Sequence, residues 1–108
     1  MFARILTFEV KLEKKEEFVK VVNDQVLPIL KKQIGFLEIL PFFQKKTRAE
    51  KVLAVSLWTT RYDAERYERG FYPQVVEILQ PFLTAPVEVN NYNLETTLCD
   101  RFVDALAV

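Results

Sequence analysis

The segment Val52-Leu53-Ala54-Val55-Ser56-Leu57-Trp58 is apolar on both of its alternating sides, and this constrains the fold more than any other feature. In a strand, successive side chains point to opposite faces. Leu53, Val55 and Leu57 therefore share one face, and Ala54, Ser56 and Trp58 share the other. The run Phe36 to Gln44 reads the same way, with Leu37 and Ile39 opposed to Phe36 and Leu40. A sheet made from such strands needs apolar cover on both sides, which exceeds what one layer of helices provides.

The rest of the chain supplies one such layer. Phe2 to Val10 is rich in aromatic and branched residues and reads as a first strand. After the charged stretch Lys11 to Glu17, Phe18, Val21, Val22, Val26, Ile29 and Leu30 fall at helical spacing. Pro28 lies inside that stripe and is expected to kink or split the helix, because it lacks a backbone donor. Gly35 is read as its stop. Strands Phe36–Gln44 and Val52–Thr59 are joined by the polar turn 45–51, as in an antiparallel hairpin. Thr60 and Asp63 have the spacing of a capping box, followed by a helix with Ala64, Tyr67 and Phe71 facing inward. Gly70 breaks that helix, and Pro73 starts a second piece bearing Val75, Val76, Leu79, Phe82 and Leu83. Pro86 to Leu98 reads as a fourth strand, and Cys99 to Val108 as a tail.

This order, βαββαβ, predicts an α+β, ferredoxin-like domain over residues 1–98. It has a four-stranded antiparallel sheet with both helices on one face. The other face is then bare. A second copy packed sheet against sheet is the simplest cover, so a homodimer through the open face is expected. The competing account is a monomer with a ligand groove.

Charge and composition remove several function classes. Lys+Arg and Asp+Glu balance at 15 each, which gives no electrostatic case for nucleic acid or an anionic membrane. No apolar run approaches a membrane span. The single cysteine, Cys99, and a start unlike a signal peptide are read as cytoplasmic. There is no histidine. Two-histidine metal sites and Ser-His or Cys-His nucleophile pairs are therefore ruled out, and no metal site is expected.

The run Val52 to Trp58, the helix opening Asp63-Ala64 with Tyr67, then Phe71, Pro81 and Tyr92 resemble the antibiotic biosynthesis monooxygenase domain. The break at Pro28 before Gly35-Phe36 is similar too, and the resemblance covers residues 2 to about 98. It implies a dimeric α/β barrel. It also implies cofactor-independent oxidation of polycyclic, polyketide-like phenols by O2, in a cleft between sheet and helices. There a family Trp, matched by Trp58, lies beside Asn, Tyr and Arg groups. The catalytic candidates are accordingly Trp58, Asn91, Asn93 and Tyr92, and the substrate-binding candidates are Arg4, Tyr72 and Phe71. No cofactor is implied. A haem-degrading branch uses a first-strand Asn and a His ligand. Leu6 or Thr7 stands at the first position here and Glu77 near the second, so that chemistry is excluded.

Each candidate also has a plain packing account. Trp58 is either a cleft residue or a core or interface aromatic. Asn90, Asn91 and Asn93 are unusual in a strand, and either hold an enolate or phenolate oxygen or line a solvated edge. Arg4 alternates with Phe2 and Leu6, so it either holds an anionic substrate or forms an ion pair, across a dimer or to Glu9. Three functions remain: an oxygenase, a small apolar or aromatic ligand binder without turnover, and a stress-response dimer with a filled cleft.

Overall fold

The computed structural model describes residues 1–94. The expected fourth-strand positions 95–98 and the tail 99–108, with Cys99, lie outside the described residues. Strands β1 (Phe2–Lys11), β2 (Phe36–Lys45), β3 (Ala49–Trp58) and β4 (Glu88–Asn93) form one antiparallel sheet in the order β2-β3-β1-β4. The predicted ferredoxin-like topology is the observed one. The hairpin is tighter than the sequence suggested, because β2 and β3 extend through Lys45 and from Ala49.

Alternation along β1 and β3 decides what faces the helices. Phe2, Arg4, Phe8 and Val10 are buried on that side, in register with Trp58, Ser56, Val52 and Glu50. On β2 the register shifts between Phe36 and Glu38. That bulge inserts one residue, so Phe36 and Ile39 both pack on the core. The expected opposition of Phe36 to Ile39 is corrected on this point, since a strict two-residue period cannot anticipate a bulge.

The first helical layer runs Lys15 to Lys31 in two α segments, α1 (Lys15–Val21) and α2 (Leu27–Lys31), joined by a π turn over Val22–Val26. The break expected from Pro28 takes this form. Pro28 has no N–H to give, and the Leu27 N–H reaches back to the Val22 carbonyl. All six residues of the predicted stripe meet the core. Gly35 has φ +83°, and a Cβ there would collide with the Asp63 carboxylate. Its carbonyl accepts the Thr59 N–H at 2.8 Å, which ties β3's end to the turn before β2.

The capping box is present. The Asp63 N–H donates to Thr60 Oγ1 at 3.1 Å, and that hydroxyl donates to Asp63 Oδ2 at 2.9 Å. Helix α3 (Arg61–Gly70) ends at Gly70, and α4 (Tyr72–Leu79) carries Pro73 in its first turn. Ala64, Tyr67, Val75 and Leu79 are buried as expected. Phe71 is not: it is 49% exposed at the α3–α4 junction.

Both helical layers cover one face of the sheet. The other face carries Ile5, Leu40, Phe42, Leu53, Val55 and Tyr92, with Phe42 and Tyr92 more than half exposed. Among the described residues, no helix is long and apolar enough to cross a membrane.

Candidate functional site

Between sheet and helices lies a cavity of about 150 Å³. Its sheet wall is Leu6, Phe8, Val52 and Ala54, and its helix wall is Phe18, Val26, Val75 and Leu79. The cavity exists because β3 places small residues, Ala54 and Ser56, on the face that the helices span. Leu6 and Pro41 flank Ala54 in register and do not fill the gap. The π turn contributes Val22 and Asn23, and Asn23 is exposed, so the mouth opens there beside Val19.

Polar groups are few. Arg4 is 1% exposed and lines the cavity. Its guanidinium carbon lies 4.4 Å from the Tyr72 ring centre and 5.4 Å from that of Tyr67. Such contacts with a desolvated cation are worth up to about 2 kcal/mol. They do not replace hydrogen bonds. Nη2 is 3.7 Å from Glu68 Oε1, too far for one, and Nε and Nη2 have no hydrogen-bond partner among the described residues. Each unsatisfied buried donor costs about 1–3 kcal/mol. The partner is thus Glu68, loosely, and not the Glu9 considered from sequence.

Trp58 is fully buried and does not line the cavity. Its indole N–H donates to Ser56 Oγ at 3.0 Å, and Ser56 Oγ donates to the Arg4 carbonyl at 3.3 Å. Its ring stacks on Tyr67 at 5.1 Å. Trp58 therefore sits behind the wall formed by Ser56 and Tyr67. Burial raises the Tyr67 hydroxyl well above the ordinary tyrosine value of 10.0, against a smaller pull downward from Arg4. Burial also raises Tyr72, partly offset by Arg4 and reinforced by Glu68.

The candidates from sequence separate in space. Arg4 lines the cavity, and Tyr72 packs on its guanidinium without lining the cavity itself. Asn91 stands opposite Arg4 on β4 but is exposed on the edge strand. Asn93 and Tyr92 line a shallow groove with Phe2, Leu57 and Leu94 at the start of β1. Phe71 lines a separate groove with Ile34, Lys32 and Arg66. Trp58, Asn91 and Asn93 do not converge on one cavity. Sequence reasoning passed over Ala54, Ser56, Asn23 and Glu68. The available signal was the pair of small residues in an otherwise bulky strand, which leaves space opposite them. Among the described residues, no cluster of three His, Cys, Asp or Glu could hold a metal ion.

No family model matches the chain, and no curated relative does either. Solved structures do share its fold. SnoaB, a cofactor-independent oxygenase from Streptomyces nogalater, is 17% identical over 90% of this chain and 96% of that one, with TM-score 0.67. A monooxygenase from the gene ActVA-Orf6 of Streptomyces coelicolor, solved with nanaomycin D, is 18% identical over 91% and 90%, with TM-score 0.64. A Nitrosomonas europaea protein provisionally named an antibiotic biosynthesis monooxygenase is 19% identical over 89% of this chain and 100% of that one, with TM-score 0.67. At these identities the likeness establishes the fold, which is that of the antibiotic biosynthesis monooxygenase type.

Proposed function

We propose that the chain is a cofactor-independent monooxygenase that oxidises an aromatic, polyketide-like phenol in the sheet–helix cavity. The observation that carries this reading is the buried, under-partnered guanidinium of Arg4 against an otherwise apolar cavity. A positive charge in a dry site lowers the cost of holding a substrate as its anion. The phenol enters past Val19 and Asn23 and lays its ring against Ala54 and Val75. Its ionised form is electron-rich at a ring carbon, which reduces O2 and forms a carbon–oxygen bond. Loss of water from the resulting hydroperoxide leaves a quinone, so one oxygen atom enters the product and the other leaves as water. Apolar walls keep bulk water from the intermediate. Trp58 and Ser56 act from behind by fixing the Arg4 backbone and the Tyr67 ring. The likeness in fold to a cofactor-independent oxygenase supports the reading.

The chain acts as a homodimer in this account, with the bare sheet face as the contact. A second reading, a ligand-binding module without turnover, is favoured by one fact. Tyr67, the cavity's neutral ionisable group, has its proton held more tightly by burial and is a poor base near neutrality. Oxygen uptake against anthrones and hydroxynaphthalenes separates the two readings. The oxygenase reading expects protein-dependent uptake that falls at least about tenfold in Arg4→Met, as loss of a charged hydrogen-bonding group implies. Binding of the same compounds with no uptake above the heat-treated blank selects the binding module.

A further inference from the structure

We propose that residues 95–108 of this chain dock, within the same copy, into the groove between the end of α2 and the α3–α4 junction. The groove measures about 460 Å³. Its apolar surface is bare: Ile34 is 67% exposed and Phe71 49%. Large apolar side chains gathered in a concavity mark an interaction surface. Two cations, Lys32 and Arg66, line the same groove. Lys32 makes no ion pair among the described residues. The groove's one acid is Asp63. Its Oδ1 lies 3.1 Å from Arg66 Nη2, and its Oδ2 accepts the Thr60 hydroxyl. An occupant that complements this surface is both apolar and acidic.

Residues 95–108 have that composition. Leu98, Phe102 and Leu106 recur every four residues, with Asp100 and Asp104 between them. At helical spacing such a pattern sets apolar groups on one side and acids on another. Counting Glu95 and Arg101, the segment carries three acids and one base. A space of about 150 Å³ takes one benzene-sized group, so the groove has room for Leu98, Phe102 and Leu106 together. The segment also starts at the right end of the sheet. The Leu94 N–H donates to the Met1 carbonyl at 2.9 Å, Phe2 pairs with Trp58, and Trp58 pairs with Phe36. From Leu94 to the start of β2 is three strand spacings across the sheet, about 14 Å. Ile34 lies two residues before β2. Phe102 is eight residues beyond Leu94, and eight extended residues reach up to about 27 Å. No second copy is needed to bring it there. Tyr67 lines both this groove and the sheet–helix cavity, so the docked segment backs that wall. The mouth residues Val19 and Asn23 do not line the groove and stay clear of it.

A nitroxide on Cys99, the chain's single cysteine, tests the docking by amide NMR of the full chain. The amides of Ile34, Phe71 and Gln74 should lose most of their intensity. Lys32→Glu and Ile34→Asp, both at exposed positions, should each restore much of it at Phe71 and Gln74. In protein without the nitroxide, Phe102→Asp should shift the Ile34 methyl signals. Mixing nitroxide-bearing chains with isotope-labelled Cys99→Ser chains should leave the groove signals sharp. Broadening there in the mixture assigns the groove to a second copy's segment and overturns docking within one copy. Broadening at Ala3, Leu57 and Tyr92 in place of the groove puts the segment on the bare sheet face and overturns the proposal. A groove that stays sharp in the nitroxide-bearing chain itself overturns it too. Lys32→Glu without effect overturns the charge pairing, and an Ile34 methyl unmoved by Phe102→Asp overturns the apolar contact.

Discussion

Filling the cavity should separate stability from ligand binding, and Ala54→Leu is the substitution that does so. Ala54 is 7% exposed, lies on the cavity wall, and has Leu6 and Pro41 beside it in register. Leucine adds three carbons on the side where empty space lies. Burying each is worth about 0.8 kcal/mol, so full burial contributes at most about 2.4 kcal/mol. Overpacking in a filled core costs about 1–3 kcal/mol instead, so the sign of the change reports whether the space exists. With a urea slope of about 1–3 kcal/mol/M for a protein this small, a gain of that size moves the midpoint up by about 1 M. The same change should remove hydroxynaphthalene binding, measured by quenching of Trp58 fluorescence through Tyr67 and Ser56. A midpoint that falls, or an affinity that survives the substitution, refutes the placement of the ligand in this cavity.

Two further outcomes follow from the same geometry. Leu53 sits mid-strand on the bare sheet face between Thr7 and Phe42, so Leu53→Lys should convert a dimer to a monomer in sedimentation velocity; a wild type that sediments as a monomer at micromolar concentration defeats the dimer account. Burial raises the Tyr67 hydroxyl in the folded state, so below pH 10 both states keep the proton and its contribution is intact. Above pH 10 the unfolded chain releases that proton first and stability falls as pH rises toward the folded value. Urea midpoints at about pH 8 and about pH 11 should therefore differ less in Tyr67→Phe than in the wild type, and an equal or steeper decline contradicts the burial argument.

The fold was legible because its signals are local and repeated. The Phe18 to Leu30 stripe, the Thr60–Asp63 cap, Gly35 and the Pro73 start each specify one element, and together they permit few topologies. The bulge after Phe36 was not legible, because its cause is a pairing with β3 that no single strand encodes. Arg4 was readable as a buried cation from its place between Phe2 and Leu6. Its partner was not, since Glu68 comes from a helix more than sixty positions away. Trp58 and Asn91 drew notice as residue types, yet their surroundings depend on which end of the sheet the helices cover. Trp58 is sealed beneath Tyr67, while Asn91 is exposed on the edge strand β4. The cavity was recorded in the sequence only as an absence of bulk at Ala54 and Ser56.

A crystal structure of the protein with a bound hydroxynaphthalene tests the central claim most directly. The account predicts electron density for the ring between the sheet and helices, in contact with Ala54 and Val75 and within hydrogen-bonding reach of Arg4. Density confined to the groove beside Phe71 and Ile34, or to the bare sheet face at Tyr92, would contradict it.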